Sequence, residues 1–247
     1  KQSLFTLICT GAGGSKLAQV FVTVTANATP GGVWRGIDSG TRLEVIGLVT
    51  ETGEFHFIRD DNSQFFGNLT TAVNSVSGTF VGVTELGYVW PSGLTTGTGT
   101  VIGTVQPRAT LNVQATFRTG PFTYVSTVPM TFSSIYYRPS SLAMVAGNYR
   151  DPDTNAIINV NSNGVIFSQD STTGCVINGT VSIIDSMYNA YRVVYTFSGC
   201  RGLDAVLNGS TARGIATLDN TVMPEQAIIG VVNTIAGYSL VGRYPRT

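Results

Sequence analysis

Apolar residues recur two apart along most of this chain, and nowhere do they recur at helical spacing over a useful length. Segments 41–50, 54–59, 64–71, 76–83, 99–105, 109–117 and 122–132 are rich in Val, Ile, Thr, Phe and Tyr. Turn formers stand between them, such as Glu51-Thr52-Gly53 and Asp60-Asp61-Asn62-Ser63. β-branched and aromatic side chains suit a pleated, half-buried surface, and a period of two places one strand face on a core. Gly, Asn, Asp and Ser in the gaps permit the tight reversals that antiparallel neighbours need. The pattern predicts an all-β chain, its antiparallel strands forming a barrel or a sandwich. Residues 140–146, about two turns, are the single helical candidate.

The 247 residues suffice for one large β domain or two small ones with a real core. Hydrophobic residues make up 43 %, too many for a disordered chain. Charged residues make up only 11 %, and 14 basic side chains balance 14 acidic ones. Nucleic acid is thereby excluded as a partner, since it needs clustered Lys and Arg to displace counterions. A polybasic membrane anchor is excluded on the same ground. No apolar run approaches the roughly 20 residues of a transmembrane helix, so no transmembrane segment is expected. A transmembrane barrel is disfavoured by the lack of long regular strands with aromatic girdles. One His and three Cys leave little material for a transition-metal centre, and no cofactor is expected.

The second half loosely repeats the first. Gly32-Val33-Trp34-Arg35-Gly36 is echoed by Ala146-Gly147-Asn148-Tyr149-Arg150. Residues 44–49, Gly53 and Asp60 are echoed by 156–160, Gly164 and Asp170, an offset of about 110 residues. Two meanders, 31–138 and 143–247, would together make one all-β domain over 31–247. Residues 31–247 resemble the β-meander modules of uncharacterised bacterial secreted proteins and lipoproteins, on the strength of Trp34-Arg35-Gly36 and of residues 49–55 (VTETGEF). That resemblance implies a surface or periplasmic location and no chemistry.

Residues 26–32 (ANATPGG) read as a linker. Ahead of it, residues 5–9 (FTLIC), a glycine turn at 11–14 (GAGG) and residues 20–24 (VFVTV) predict a hairpin. Residues 1–26 resemble the last two strands of a bacterial immunoglobulin-like domain, although Leu7 stands where that pattern places a Tyr two residues before the Cys. The resemblance implies that 1–28 is an Ig-like edge hairpin and a fragment of a longer multidomain protein. It also implies that Cys9 has lost its bridge partner. The competing reading of Lys1 and Cys9 is a lipoprotein signal, and Ile8 argues against it because a small residue should precede the Cys.

Centring another hairpin on Met187 and Tyr188 places Ile184 opposite Tyr191 and Cys175 opposite Cys200. A Cys175–Cys200 disulfide would staple its open end, worth roughly 3–4 kcal/mol on chain-entropy grounds. Such a bridge points to an extracellular, cell-surface or periplasmic compartment.

The remaining candidates for chemistry are sparse. Residues 151–155 (DPDTN) offer oxygens at alternate positions, yet Ala156 and Ser162 stand where an EF-hand needs Gly and Glu. A plain turn accounts for them, and no metal is assigned. His56 shares a strand face with Glu54 and Ile58, but no Gly-x-Ser-x-Gly elbow accompanies it, and a surface or edge position is expected. Glu44, Glu51, Glu54, Glu85 and Glu225 pair across no evident cleft, against a glycosidase. Residues 97–103 (GTGTVIG) imitate a phosphate loop but lead into a strand pattern. The sequons at Asn27, Asn68, Asn178 and Asn208 are no more than chance supplies in so Ser- and Thr-rich a chain. No catalytic residue is assigned. Among the aromatics, Tyr188 and Tyr191, with Met187, form the candidate binding patch because a turn is expected to expose them.

These readings predict a non-catalytic extracellular or cell-surface module of a bacterial envelope protein. An adhesin, surface fibre or filament subunit would bind a protein or glycan partner, or self-associate, through strand edges. The alternative is a periplasmic or surface small-ligand-binding β-barrel. A secreted hydrolase ranks last. A filled interior favours the first reading, a hollow one the second.

Overall fold

A computed structural model describes residues 2–23, 27–233, 235 and 237–247. Strands account for 60 % and helices for 6 %, so the all-β expectation holds. Lys1, Val24 and Ala26, which figure in the expected signal, strand and linker, lie outside the described residues.

β1 (Gln2–Gly11) and β2 (Gly14–Thr23) form a separate two-stranded hairpin, paired from Gln2↔Thr23 to Gly11↔Gly14. The main sheet begins with β3 (Gly32–Ile37), β4 (Glu44–Val49), β5 (Glu54–Arg59) and β6 (Gln64–Ala72). It continues through β7 (Ser75–Glu85), β8 (Thr96–Gln106), β9 (Thr110–Thr119) and β10 (Phe122–Ser133). Each strand pairs with the next, and β10 pairs back onto β3 from Met130↔Gly36 to Ser133↔Val33. The result is a closed eight-strand antiparallel barrel.

A short helix, α1 (Leu142–Val145), precedes a second meander. It is shorter than expected, and the Ser141 side chain caps it by accepting from Met144 N. The meander runs through β11 (Gly147–Arg150), β12 (Ile157–Val160), β13 (Val165–Gln169), β14 (Val176–Ile183), β15 (Tyr191–Ser198), β16 (Thr211–Asp219), β17 (Gln226–Asn233) and β18 (Tyr238–Pro245). Its ends meet at the bridge Tyr149↔Arg246, curling it into a cup. A short parallel pairing, Tyr238↔Thr84 and Ser239↔Glu85, joins β18 to β7.

Alternation along the strands sorts the apolar residues into three clusters. Trp34, Val45, Phe55, Phe80 and Phe117 fill part of the barrel interior. Tyr149, Val181, Val193, Phe197 and Leu218 line the cup. The opposite strand faces carry Ile46, Leu48 and Ile58 of the barrel against Ile215, Ile228 and Tyr136 on the cup side. Polar contacts cross the same seam: Arg35 pairs with Asp219 at 2.7 Å, Arg192 with Glu54, and Gln64 Nε2 donates to Val231 O at 3.1 Å.

Two expectations are corrected here. His56 is buried, not at the surface: it lies on the seam face of β5, its Nδ1 2.8 Å from Gln64 Oε1 and its Nε2 3.9 Å from Glu54. The strand-by-strand pattern gives its face but not that a second body covers that face. The β14–β15 ladder is one residue out of the expected register, with Ile183, not Ile184, facing Tyr191. Asp185 Oδ1 accepts from Met187 N at 2.9 Å and Tyr188 N bonds Asp185 O, so the turn takes Asp185 out of the ladder and Ile184 N, in its place, bonds Ala190 O. Cys175 and Cys200 sit just beyond the last pair, Val176↔Ser198, and are disulfide-bonded. Cys9 is free and exposed.

Candidate functional site

An eight-strand barrel is just wide enough either to be filled by side chains or to hold one small ligand. This one is partly hollow, with a cavity of about 480 Å³ in the cup and about 560 Å³ in the closed barrel.

The barrel cavity is aromatic. Phe55 and Phe57 enter from β5, Phe65 from β6, Phe80 from β7 and Phe117 from β9. Glycines opposite them make the room. A Cβ on Gly99 would lie 2.3 Å from Phe80 Cζ, and one on Gly97 2.5 Å from Phe117 Cζ. The Gly-rich strand is therefore a seat for rings. The β7–β8 loop folds Trp90 onto this box, its ring 4.9 Å from Phe117 and 6.0 Å from Phe65. Trp90 is 9 % exposed and lines the cavity, yet its Nε1–H has no acceptor among the described residues. Trp34, deeper in the barrel, donates its Nε1–H to Pro30 O at 2.9 Å. A buried, unpaired donor costs about 1–3 kcal/mol.

Polar groups stand at the edge of the same cavity. Arg59 Nε donates to Asp61 at 3.0 Å, and its Nη1 is 3.5 Å from Asp38 Oδ2. Burial opposes ionisation of Asp38, but the Ser126 hydroxyl, the Gly40 and Thr41 N–H groups and Arg59 outweigh it and lower its pKa. The guanidinium also lies over the Phe65 and Trp90 rings, at 5.6 and 5.8 Å. With two carboxylates on one Arg, this edge offers no unmatched cation to an anionic ligand.

The cup cavity differs. One end is plugged by α1 and a charged network. Arg246 donates to Met144 O, Ala146 O and Tyr149 Oη at 2.6, 2.9 and 2.8 Å, and pairs with Glu225, which also binds Arg138. Burial pushes the Tyr149 hydroxyl up to about 12, so it stays protonated and donates to Val145 O. At the other end the wall is low, because β11 has 4 residues against 8 in β18. That end carries Asp151 and Asp153 after β11, Asp170 after β13, and Asp204 before β16.

The expected patch does not form. Met187 is exposed, but Tyr188 is half-buried, stacked on Tyr136 at 4.8 Å with Arg108 4.9 Å from its ring. Tyr191 is wholly buried in the cup, its hydroxyl near Ser141, because a turn that ends at Ala190 puts residue 191 on an inward strand position. Asp151 Oδ1 accepts from Asp153 N and Thr154 N at 2.8 and 3.1 Å, an Asx turn. Glu51, Glu54 and Glu225 are spent on Arg108, Arg192, and Arg138 with Arg246. Among the described residues no group of three His, Cys, Asp or Glu is placed to hold a metal ion.

The cavity residues were missed in sequence, though one signal was there. Strands that carry Phe or Val at alternate positions carry Gly on the same face, as Gly97, Gly99 and Val101 do, and such a face leaves volume unfilled. The chain matches no family model, and the comparisons with curated proteins and with solved structures found no match.

Proposed function

We propose that this chain binds small apolar molecules inside its β-barrel and does not transform them. The observation that carries the reading is the aromatic cavity of about 560 Å³ with an unpartnered Trp90 Nε1–H on its wall. Ligand sites are concave, mostly apolar, about 300–1,000 Å³ in volume, and carry a few placed polar groups. A ligand with a compact apolar body and one neutral acceptor, such as a ketone or ether oxygen, satisfies both features. Covering its apolar surface is worth roughly 25 cal/mol per Å². His56, the one imidazole, lines an outer groove with Glu54 and neither interior cavity, so no imidazole faces a ligand held in the barrel. The disulfide supports a site of action outside the cytoplasm. No helix of the described residues is long and apolar enough to cross a membrane.

Titration with the neutral fluorophore N-phenyl-1-naphthylamine tests the reading. Saturable binding is expected, with one site lost in Ala115→Trp, which fills the barrel cavity. Non-saturable binding, or an Ala115→Trp protein that folds and binds as before, would contradict it.

One observation favours a second reading, an envelope module that assembles through strand edges. The β1–β2 hairpin exposes apolar residues on both faces, Leu4, Ile8 and Leu17 on one and Phe5, Leu7 and Val20 on the other. Unpaired edges of this kind invite strand addition. Light scattering would then show a mass that rises with concentration and reverts to one chain in Ile8→Lys/Leu17→Lys.

A further inference from the structure

The cup carries charge where the barrel is neutral. Five carboxylates, those of Glu85, Asp151, Asp153, Asp170 and Asp204, line its cavity. None of them stands in an ion pair among the described residues, whereas Asp38, Asp60, Asp61, Asp219, Glu51, Glu54 and Glu225 all do. Among the described residues only Glu44 and Asp185 share that condition elsewhere. Arg243 is the one basic residue on the lining, and it is paired with Asp60 at 3.2 Å. Arg150 and Arg201 are nearby in sequence, exposed and outside the lining. Burial and then the Asp170 charge raise the Asp204 pKa, while hydrogen bonds from Thr172 and Thr173 outweigh burial and lower that of Asp170.

An independent feature lies inside the cavity. Tyr195 is 9 % exposed and lines the cup, and its hydroxyl has no hydrogen-bond partner among the described residues. Tyr244 lines the same wall and likewise has no hydrogen-bond partner for its hydroxyl among the described residues. Both phenols line the same cavity as Asp151 and Asp153; burial raises both hydroxyls, with Tyr244 and then Asp151 adding to Tyr195, and Asp151 and then Asp153 to Tyr244. Below them the walls are apolar, with Val193, Phe197, Ala216 and Ile229. Leu203, 80 % exposed, gives the mouth an apolar lip.

We propose that the cup is a second binding site, chemically distinct from the barrel, for an aliphatic amine: its apolar tail fills the cup, and its ammonium head sits at the Asp151 side of the mouth against the Tyr195 hydroxyl and ring. An ammonium donates to carboxylate and phenol oxygens at once and gains from an aromatic face. An anion of the same tail length meets only repulsion there. The proposal rests on the reading that these interiors hold ligands, but it adds a charge preference that the barrel cavity does not share.

Calorimetric titration of the whole chain with decylamine, 1-decanol and decanoate near pH 7 tests it. Decylamine is expected to bind at least about tenfold more tightly than decanoate, a preference that shrinks as salt is raised. Asp151→Asn/Asp204→Asn should abolish that preference while leaving 1-decanol binding unchanged. Tyr195→Phe should weaken decylamine alone, and Ala216→Phe should remove all three ligands from the cup. The rim substitutions decide the matter even if Ala216→Phe does not fold. Equal binding of amine and carboxylate, or an amine preference that survives the double rim variant, overturns the proposal. If N-phenyl-1-naphthylamine still binds the barrel in that case, the general reading stands and only the cup assignment falls. Absence of binding by every probe overturns both.

Discussion

Trp90 and Trp34 are the same residue type, both buried in one barrel, yet only one of them satisfies its indole N–H. That difference is set by a backbone carbonyl, Pro30 O, only four residues before Trp34, where the chain turns into β3, whereas the β7–β8 loop brings no acceptor to Trp90 among the described residues. Gly99 shows the converse. The residue reads from sequence as a glycine in a strand, and its reason, the Phe80 ring lying on it, needs the neighbour to be known. Gly99→Ala is expected to cost about 1–3 kcal/mol by overpacking, read as a lower urea midpoint with an unchanged slope. Glu54 has a pH signature. Hydrogen bonds from Arg192 and then His56, with burial opposing them, hold its carboxyl down to about 2 from an ordinary 4.5. Because the folded value lies below the unfolded one, its contribution is present at neutral pH and is lost as the pH falls from about 5 towards 2. Glu54→Gln should therefore destabilise the protein at pH 7 and flatten the acid limb of a stability–pH curve. An unchanged acid limb would show that the Arg192 pair is spent on solvent.

At the scale of elements, period-two alternation revealed most strands of the first meander and the β14–β15 hairpin of the second, whose other strands were read mainly as a loose repeat over 143–247, and the glycine turn revealed the β1–β2 hairpin. Turn detail was less readable. The Asx bonds of Asp185 shift the β14–β15 ladder by one residue and turn Tyr191 into the cup, so a patch drawn on the expected register could not form. The Cys pair survives that shift because it closes the hairpin from outside the ladder. Replacing Cys175 and Cys200 together by Ser opens a loop of sequence separation 25 and should cost about 3 kcal/mol. Hydrogen exchange should then quicken first in β14 and β15, at the acidic mouth of the cup. Uniform exchange, with no loss of stability, would contradict a stapling role.

For the whole molecule, the chain pattern predicts inward and outward faces but does not say that the outward faces of two meanders would bury each other. The seam made by Ile46, Leu48 and Ile58 against Ile215 and Ile228 is the result, and it explains why His56 is buried. Leu48→Ala should cost about 2–5 kcal/mol, as a truncation in a packed core does. It should lower a single cooperative transition if barrel and cup unfold together, and split it in two if they do not. The account's central claim is that the barrel is hollow for a ligand and that Trp90 waits for its acceptor. Its most direct test is the pair of indole N–H signals in a ¹⁵N–¹H correlation spectrum, titrated with a neutral ketone such as 2-undecanone. The Trp90 signal should move downfield and saturate while that of Trp34, already bonded to Pro30, stays in place. Two signals that remain still at every concentration, or that drift together without saturating, would contradict the claim.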